Sequence, residues 1–416
     1  MSWTLSGVLL VSCSLLAIGG MLLRPFGSKE WMWSLGGAAL LVASGLLPWR
    51  DAFGAVARGG DVYAFLIGIM ALAELARHQG LFAWLATHLL RAGRGSRARL
   101  FSLVYLLGTL VTIVLSNDTT AVVLTPAVFA ALARTDGDPL PYLYACAFVA
   151  NAASFVLPIS NPANLVIFGH AMPSAIPWLG AFGLASLAAI ALTYLSLFFW
   201  HRRGLARTYR FDDGEAALAP AQMRAAVAIA AATLGLIAAA TFGYNVGYAA
   251  LALAAAALAA IALRDRDAAG FVAKHLAWHV VPLVAGLFII VAALDRAGVL
   301  DLARAAIVHA QSYGTIVGNL ALGASVALAS NVFNNLPVAL ASGYALQTMH
   351  ALPHSVNATL VAVDLGPNLS ITGSLATLLW IIALRRDGIE VTAWQFLRLG
   401  FVVVVPALVV ALALVR

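Results

Sequence analysis

Charge is what this sequence has least of. Only 10% of its 416 residues are Asp, Glu, Lys or Arg, against roughly 25% in soluble globular domains, while 62% are hydrophobic. That balance excludes water as the main solvent of the fold. Cysteine is nearly absent too. Cys13 and Cys146 both lie inside apolar runs, which argues against a disulfide framework or a zinc site and suits buried packing thiols. Lysine occurs only as Lys29 and Lys274, a compositional bias from which no function follows. No glycine-rich phosphate loop ending in Lys-Ser/Thr occurs, so the chain does not hydrolyse ATP by that route, and any ATP coupling has to come from a partner. No cofactor is implied. The net charge of +7 comes from basic residues in short loops, where membrane orientation accounts for them, and nucleic acid is not an expected partner.

What is present instead is a series of apolar runs, each about 17–25 residues long and able to cross a hydrocarbon core of roughly 30 Å as a helix. The first, 5–23, has no basic stretch before it and no clear cleavage site after it, so it reads as a retained span in the lipid bilayer. Full spans are expected at 5–23, 31–48, 61–77, 140–168 and 178–200, then at 223–243, 247–263, 277–294, 355–382 and 396–415. Two further stretches, 98–134 and 313–350, break at polar residues near their middles: Ser116-Asn117-Asp118-Thr119-Thr120 and Ser330-Asn331-Val332-Phe333-Asn334-Asn335. Read as re-entrant hairpins, they place 19 of the 24 Lys and Arg residues on one side and five (Arg50, Arg58, Arg296, Arg304, Arg416) on the other. By the positive-inside rule the richer side is cytoplasmic, and both termini then lie outside the cytoplasm.

The expected fold is an all-α polytopic membrane protein of two inverted-topology repeats, with about ten transmembrane helices, two re-entrant helical hairpins and interrupted helices. The N-terminal repeat covers 1–200, with hairpin 98–134 and broken helix 140–168. A cytoplasmic linker, 201–222, joins it to a C-terminal repeat, 223–416, with hairpin 313–350 and broken helix 355–382. The broken helices carry Pro158-Ile159-Ser160-Asn161-Pro162-Ala163-Asn164 and Gly366-Pro367-Asn368-Leu369-Ser370-Ile371-Thr372-Gly373. Hairpin break and helix break lie about 44 residues apart in the first half and about 42 in the second, a match that random Gly and Pro placement seldom produces.

Backbone exposed in hydrocarbon costs several kcal/mol per group, so four breaks at membrane depth have to line a protein-enclosed polar pocket. One Asn-Pro or Ser-Asn alone reads better as a packing kink; four at matched positions read as a site. Past their first positions, the expected spans and hairpins contain three carboxylates: Glu74, Asp118 and Asp364. An acid at that depth is expensive and therefore a functional candidate. Asp118 sits in the first hairpin break, where its plainer role is to cap a helix beginning at Thr119; Asp364 lies just before the second helix break. Both are candidate proton carriers. Glu74 reads better as a partner of Arg77 or His78, and His275 with His279 as interfacial residues rather than metal ligands.

At Leu115-Ser116-Asn117-Asp118-Thr119-Thr120-Ala121-Val122-Val123-Leu124-Thr125-Pro126 the sequence resembles the ArsB-type arsenical pump membrane proteins, the arsenite-efflux permeases of the ion transporter superfamily. Agreement continues at Asn151-Ala152-Ala153-Ser154, Ser160-Asn161-Pro162-Ala163-Asn164, Asn331-Val332-Phe333-Asn334-Asn335-Leu336-Pro337 and Asp364-Leu365-Gly366-Pro367-Asn368, over essentially the whole chain. The resemblance implies a bacterial inner-membrane exporter of arsenite and antimonite, driven by proton influx or assisted by a soluble ATPase. It implies substrate binding by Asn117, Thr119, Ser160, Asn161, Asn164, Asn331, Asn334, Asn335, Asn368 and Thr372, and proton coupling by Asp118 and Asp364. A neutral trihydroxide can be held by amide, hydroxyl and carboxylate groups; two cysteines in different spans cannot form a three-thiolate trap, and a carrier has to release its cargo. The tips here read Ser-Asn-Asp-Thr and Ser-Asn-Val-Phe-Asn-Asn, where the sodium-coupled relatives are expected to carry Ser-Asn-Thr, which favours protons over sodium.

The competing expectation is a sodium- or proton-coupled carboxylate carrier of the same superfamily, although no Lys or Arg falls in the spans near the breaks. An intramembrane aspartyl enzyme using Asp118 and Asp364 is disfavoured because such acids sit on intact helices. A mere membrane anchor for an ATPase has no need of two polar hairpins.

Overall fold

The computed structural model describes residues 5–169, 172–210, 218–349, 351–386 and 388–415. The acidic part of the expected linker, within 211–217, and Arg416 lie outside the described residues. Among the described residues the fold is helical throughout, with one isolated antiparallel bridge, Ser96 to Thr208. The first half runs α1 (Leu5–Leu23), α2 (Glu30–Ala43), α3 (Trp49–Arg58), α4 (Gly60–His78), α5 (Leu81–Gly93), α6 (Arg97–Val114), α7 (Asn117–Thr119), α8 (Thr125–Leu132), α9 (Leu140–Ala152), α10 (Pro162–Phe168) and α11 (Ala175–Leu205). The second runs α12 (Pro220–Thr241), α13 (Val246–Ala262), α14 (Asp267–His275), α15 (Val280–Arg296), α16 (Leu300–Gln311), α17 (Thr315–Phe333), α18 (Asn335–Thr348), α19 (Pro353–Leu365), α20 (Leu375–Arg386) and α21 (Ala393–Leu414).

Among the described residues, seven helical segments are long and apolar enough to cross a membrane, or eight if α3 and α4, bent by 45°, make one span. That is fewer than the roughly ten expected, and the reason is local. Helix α2 has 14 residues and α13 has 17, about 21 and 26 Å at 1.5 Å per residue. The two broken spans divide into α9 with α10 and α19 with α20, each piece at most 13 residues long. The first arms of both hairpins, α6 and α17, are themselves of spanning length, at 18 and 19 residues.

Packing repeats along with element order. Helix α4 packs on α13 while α2 packs on α15; α1 lies on α2 as α12 lies on α13; α3 lies on α15 as α14 lies on α4. Each pair has a counterpart with the halves exchanged, as a twofold relation produces. Small residues make the closest crossings possible. A Cβ on Gly247 of α13 would collide with the Asp61 carbonyl of α4, and one on Gly286 of α15 with Ser34 of α2, whose hydroxyl donates to the Leu283 carbonyl at 2.7 Å.

The described start of the linker straps the base of the first hairpin. Tyr209 donates its amide to Gly95 O at 2.9 Å and its hydroxyl to Leu90 O, and Arg97 donates to Arg207 O at 3.4 Å. On the hairpin's far arm, Asp136 accepts from the Arg210 amide at 3.3 Å and pairs with Arg97 at 3.6 Å.

Candidate functional site

The two helix breaks meet and bond to each other. Pro158 and Pro162 cannot donate to a helix ladder, so α9 stops at Ala152 and the chain restarts at α10, capped by the Asn161 side chain accepting from the Ala163 amide at 3.0 Å. The same Asn161 donates its side-chain amide to Asp364 Oδ1 at 2.8 Å, across to the other half. A second bridge runs the same way, Asn151 on α9 donating to Asn368 Oδ1 at 2.8 Å, and is returned by Asn368, which donates to Phe148 O at 2.8 Å. Asn151, Asn368 and Asp364 are each fully buried.

Several residues expected to bind substrate are committed to holding the breaks open. Asn164 donates to the carbonyls of Ser154, Leu157 and Pro158 at 3.1–3.3 Å. Ser160 donates to Ile113 O at 3.1 Å, fixing the first break to the first hairpin. Asn331 donates to the carbonyls of Ala327 and Gly366, both at 2.8 Å, and accepts from Ser370 Oγ at 2.8 Å; Thr372 donates to the Asn331 carbonyl at 3.2 Å. Asn334 forms the turn between α17 and α18 at φ 71° and ψ 149°, a region nearly reserved for glycine. Its side chain holds that geometry by accepting from the Leu336 amide at 3.3 Å and donating to Thr372 O at 3.1 Å. The Asn335 amide donates to Gly373 O at 2.8 Å. Hairpin tip and helix break thus form one unit in the second half.

The first hairpin tip packs on α20, the helix that follows the second break. The cap of its second arm is Ser116, whose Oγ accepts from the Thr119 amide at 3.3 Å and bonds Thr119 Oγ1 at 3.1 Å. Capping by Asp118, the plainer role considered for it, is therefore not what the structure has: the short helix begins two residues earlier than Thr119, at Asn117, whose Oδ1 accepts from the Asp118 amide at 2.9 Å. The arm then passes through a π-helical turn, Thr120–Leu124. The Asp118 side chain has no hydrogen-bond partner among the described residues and lines a cavity of about 170 Å³ with Glu74, His279 and Leu375. Glu74 pairs with Arg77 at 2.6 Å, whereas His78 turns to Asp265 at 3.0 Å. His275 bonds Phe271 O at 2.8 Å and stacks on the Phe271 ring, away from any metal-like group with His279.

Once these bonds are assigned, a distinct set of atoms is left over. Asn151 Oδ1, Asn164 Oδ1, Asp364 Oδ2, Ser330 Oγ, Ser374 Oγ and Thr377 Oγ1 are buried without a hydrogen-bond partner. All six belong to the two broken helices and the second hairpin, as does Asn319 Oδ1, while nine further unmet atoms lie elsewhere among the described residues. Each unmet polar atom costs about 1–3 kcal/mol unless a polar guest or water meets it. Three of the six are acceptor-only oxygens and three are hydroxyls, so the guest has to donate hydrogen bonds. Asn151, Ser330, Ser374 and Thr377 were absent from the expected site. Asn151 lay within a matching block, but Ser374 and Thr377 open an ordinary-looking apolar helix and carry no sequence signal.

A fourth intramembrane acid also escaped the sequence reading. Asp61 stands at the first position of an expected span and is only 8% exposed. Its Oδ1 accepts from the Val62 amide at 2.8 Å, and the residue lines two cavities, one of about 100 Å³ between α4, α10, α15 and α18 and one of about 150 Å³ between α4, α10 and the start of α13.

Comparison with known proteins places this architecture. Residues 27–384 match the family described as CitMHS, citrate transporter. The chain is 28% identical over 389 residues to the arsenical pump membrane protein of Escherichia coli, covering 91% of each. An uncharacterised transporter of Mycobacterium tuberculosis is 26% identical, with 90% of each chain covered. The YdaH transporter of Alcanivorax borkumensis, described as having an unusual topology, shares the fold with a TM-score of 0.58 at 15% identity, covering 99% of this chain and 97% of its own.

Proposed function

The chain belongs to the CitMHS citrate-transporter family of the ion transporter superfamily, and from that premise we propose that it exports arsenite and antimonite as neutral trihydroxides in exchange for protons. It is a multi-pass membrane transporter, not an enzyme. One observation carries the choice of cargo: six unmet buried atoms of the two broken helices and the second hairpin are oxygens, half of them acceptor-only. The charged groups of a polycarboxylate are acceptors and meet no cation in the two breaks, which contain no Lys or Arg. A neutral trihydroxide donates up to three O–H groups and suits them. Weak oxygen ligation also permits release.

On this reading Asp364 and Asp118 exchange protons, one in the interlocked breaks and the other at the first hairpin tip. The residues 1–200 and 223–416 act as inverted repeats about a cytoplasmic 201–222 linker, in a bacterial inner membrane with both termini outside the cytoplasm. The E. coli relative, called an arsenical pump, supports the cargo. A soluble ATPase that assists the carrier would meet its Arg-rich cytoplasmic loops. The family's own description favours a second reading, a carboxylate carrier.

Uptake of labelled arsenite into everted membrane vesicles containing this protein decides between them, with labelled citrate as the alternative cargo. Saturable arsenite uptake that follows an imposed proton gradient supports the exporter; citrate movement with none of arsenite replaces it with the carboxylate reading.

A further inference from the structure

We propose that Asp61 is a proton-loading residue on the non-cytoplasmic side of the carrier, distinct from Asp118 and Asp364; its place in the cycle rests on the proton-exchange reading above. Three observations carry it. The side chain is nine-tenths buried yet lines two cavities at once, and these share Asp61, Leu165 and Gly169. Only one of its oxygens is used, Oδ1 to the Val62 amide, as a helix-start carboxylate ordinarily is. Oδ2 has no partner among the described residues, and no ion pair includes Asp61, although Arg58 lines one of the same cavities: that guanidinium lies over the Tyr344 ring, 5.4 Å from its centroid.

The placement links Asp61 to the interlocked breaks. Helix α10 forms the wall opposite Asp61, and Leu165 lies four residues, about 6 Å, along that helix from Asn161, which bonds Asp364. A proton taken by Asp61 from hydronium, leaving water, is therefore held beside the helix that carries the partner of Asp364. The remaining groups around it do not compete for the role. Arg58 from α3 and Tyr344 from α18 line one cavity and Tyr244, from the turn before α13, lines the other; the Tyr63 hydroxyl lies beside Gly59 and the Tyr248 hydroxyl of α13 beside Gly60. The α10 and α15 residues lining the cavities are not titratable. Arginine and tyrosine ordinarily keep their protons well above neutral pH, which leaves Asp61 as the one carboxylate among these groups.

The test uses the full chain, purified and reconstituted, in wild-type, Asp61→Asn and Asp61→Glu forms with equal abundance and monodispersity as the folding control. Two readouts are taken: the carboxylic C=O band in pH-difference infrared spectra, and the external-pH dependence of arsenite flux. The expected result is a titrating band present in wild type and missing in Asp61→Asn. The half-maximal external pH should move by about one unit, a tenfold change in proton concentration, and Asp61→Glu should restore the profile. A wild-type band and pH profile retained in Asp61→Asn would overturn the proposal, as would sodium, rather than protons, relieving the Asp61 dependence. If the band depends on Asp61 but no arsenite flux follows a proton gradient, the Asp61 site stands and the proton-exchange reading fails.

Discussion

The side-chain amide of Asn161 donates to Asp364 Oδ1 at 2.8 Å, tying the first broken helix to the residue just before the second break. Asn151 likewise donates to Asn368 in the second break, and Asn368 donates back to Phe148 O, so each break is bonded to the opposite half of the chain. A movement of one break is therefore transmitted to the other.

Replacing Asp364 by Asn keeps the shape of the side chain but turns one acceptor oxygen into a donor. Arsenite export from cells should fall at least about tenfold with membrane abundance unchanged, since the interlock can survive through the remaining oxygen. Asn161→Ala should act differently. It strips the buried carboxylate of its donor, at a cost of roughly 1–3 kcal/mol, and should lower the thermal denaturation midpoint as well as transport.

At the first hairpin the side chain of Asp118 faces a cavity of about 170 Å³ and is bonded to nothing among the described residues, while Ser116 does the capping. Asp118→Asn is therefore expected to leave stability within about 0.5 kcal/mol and to reduce proton-driven arsenite flux. Ser116→Ala should do the reverse, losing about 1 kcal/mol of stability through the missing cap. Thermal denaturation beside vesicle uptake separates the two.

The polar tips, the proline- and glycine-marked breaks and their matched spacing were legible because broken helices need residues that can break them. What those residues do once the helix is broken was not. Asn164 and Asn331 read as ligands, yet each spends its amide on two or three backbone carbonyls that the break leaves bare. Conversely Ser374 and Thr377 sit at the start of α20 among Leu and Ala, and only the fold shows that their hydroxyls are buried and unmet. Asp61 was hidden by position: at the edge of an apolar run an acid looks solvated, and burial comes from α13, whose Gly247 packs on its backbone.

Cys146 is fully buried and Cys13 partly so, and the two lie in different packing layers. Neither is part of the interlocked breaks. A thiol-free chain, Cys13→Ala with Cys146→Ala, should keep arsenite resistance, with at most a modest loss of stability from the small cavity at Cys146. Loss of resistance at normal abundance would show that a thiol takes part.

The linker strap gives a prediction about the first hairpin. Burial raises the Tyr209 hydroxyl above its ordinary range, so it remains a donor to Leu90 O at any working pH. Tyr209→Phe should cost about 1 kcal/mol and speed hydrogen exchange at the base of α6 and around Asp136, leaving α17 unaffected. Gly93→Ala should be more harmful, because a Cβ there would collide with the Tyr209 hydroxyl.

On the loop between α13 and α14, Gln79 donates to Asp265 at 2.7 Å and, with His78 nearby, holds that carboxyl below its usual range. A depressed carboxyl stabilises above its unfolded pKa and ceases to do so as pH falls through its folded one. Asp265→Asn should thus lower the denaturation midpoint by no more than about 2 °C at pH 7, and the difference should close below about pH 4. Melting curves of the two proteins across that range check the sign.

The most direct test of the central claim is simultaneous recording of arsenite and proton flux in proteoliposomes of the purified chain, wild type beside Asp364→Asn. Opposed arsenite and proton movements in wild type, both lost in the variant, are the result expected if the interlocked breaks bind the cargo and exchange it for protons. Arsenite flux that ignores the proton gradient, or that persists unchanged in Asp364→Asn, would contradict it.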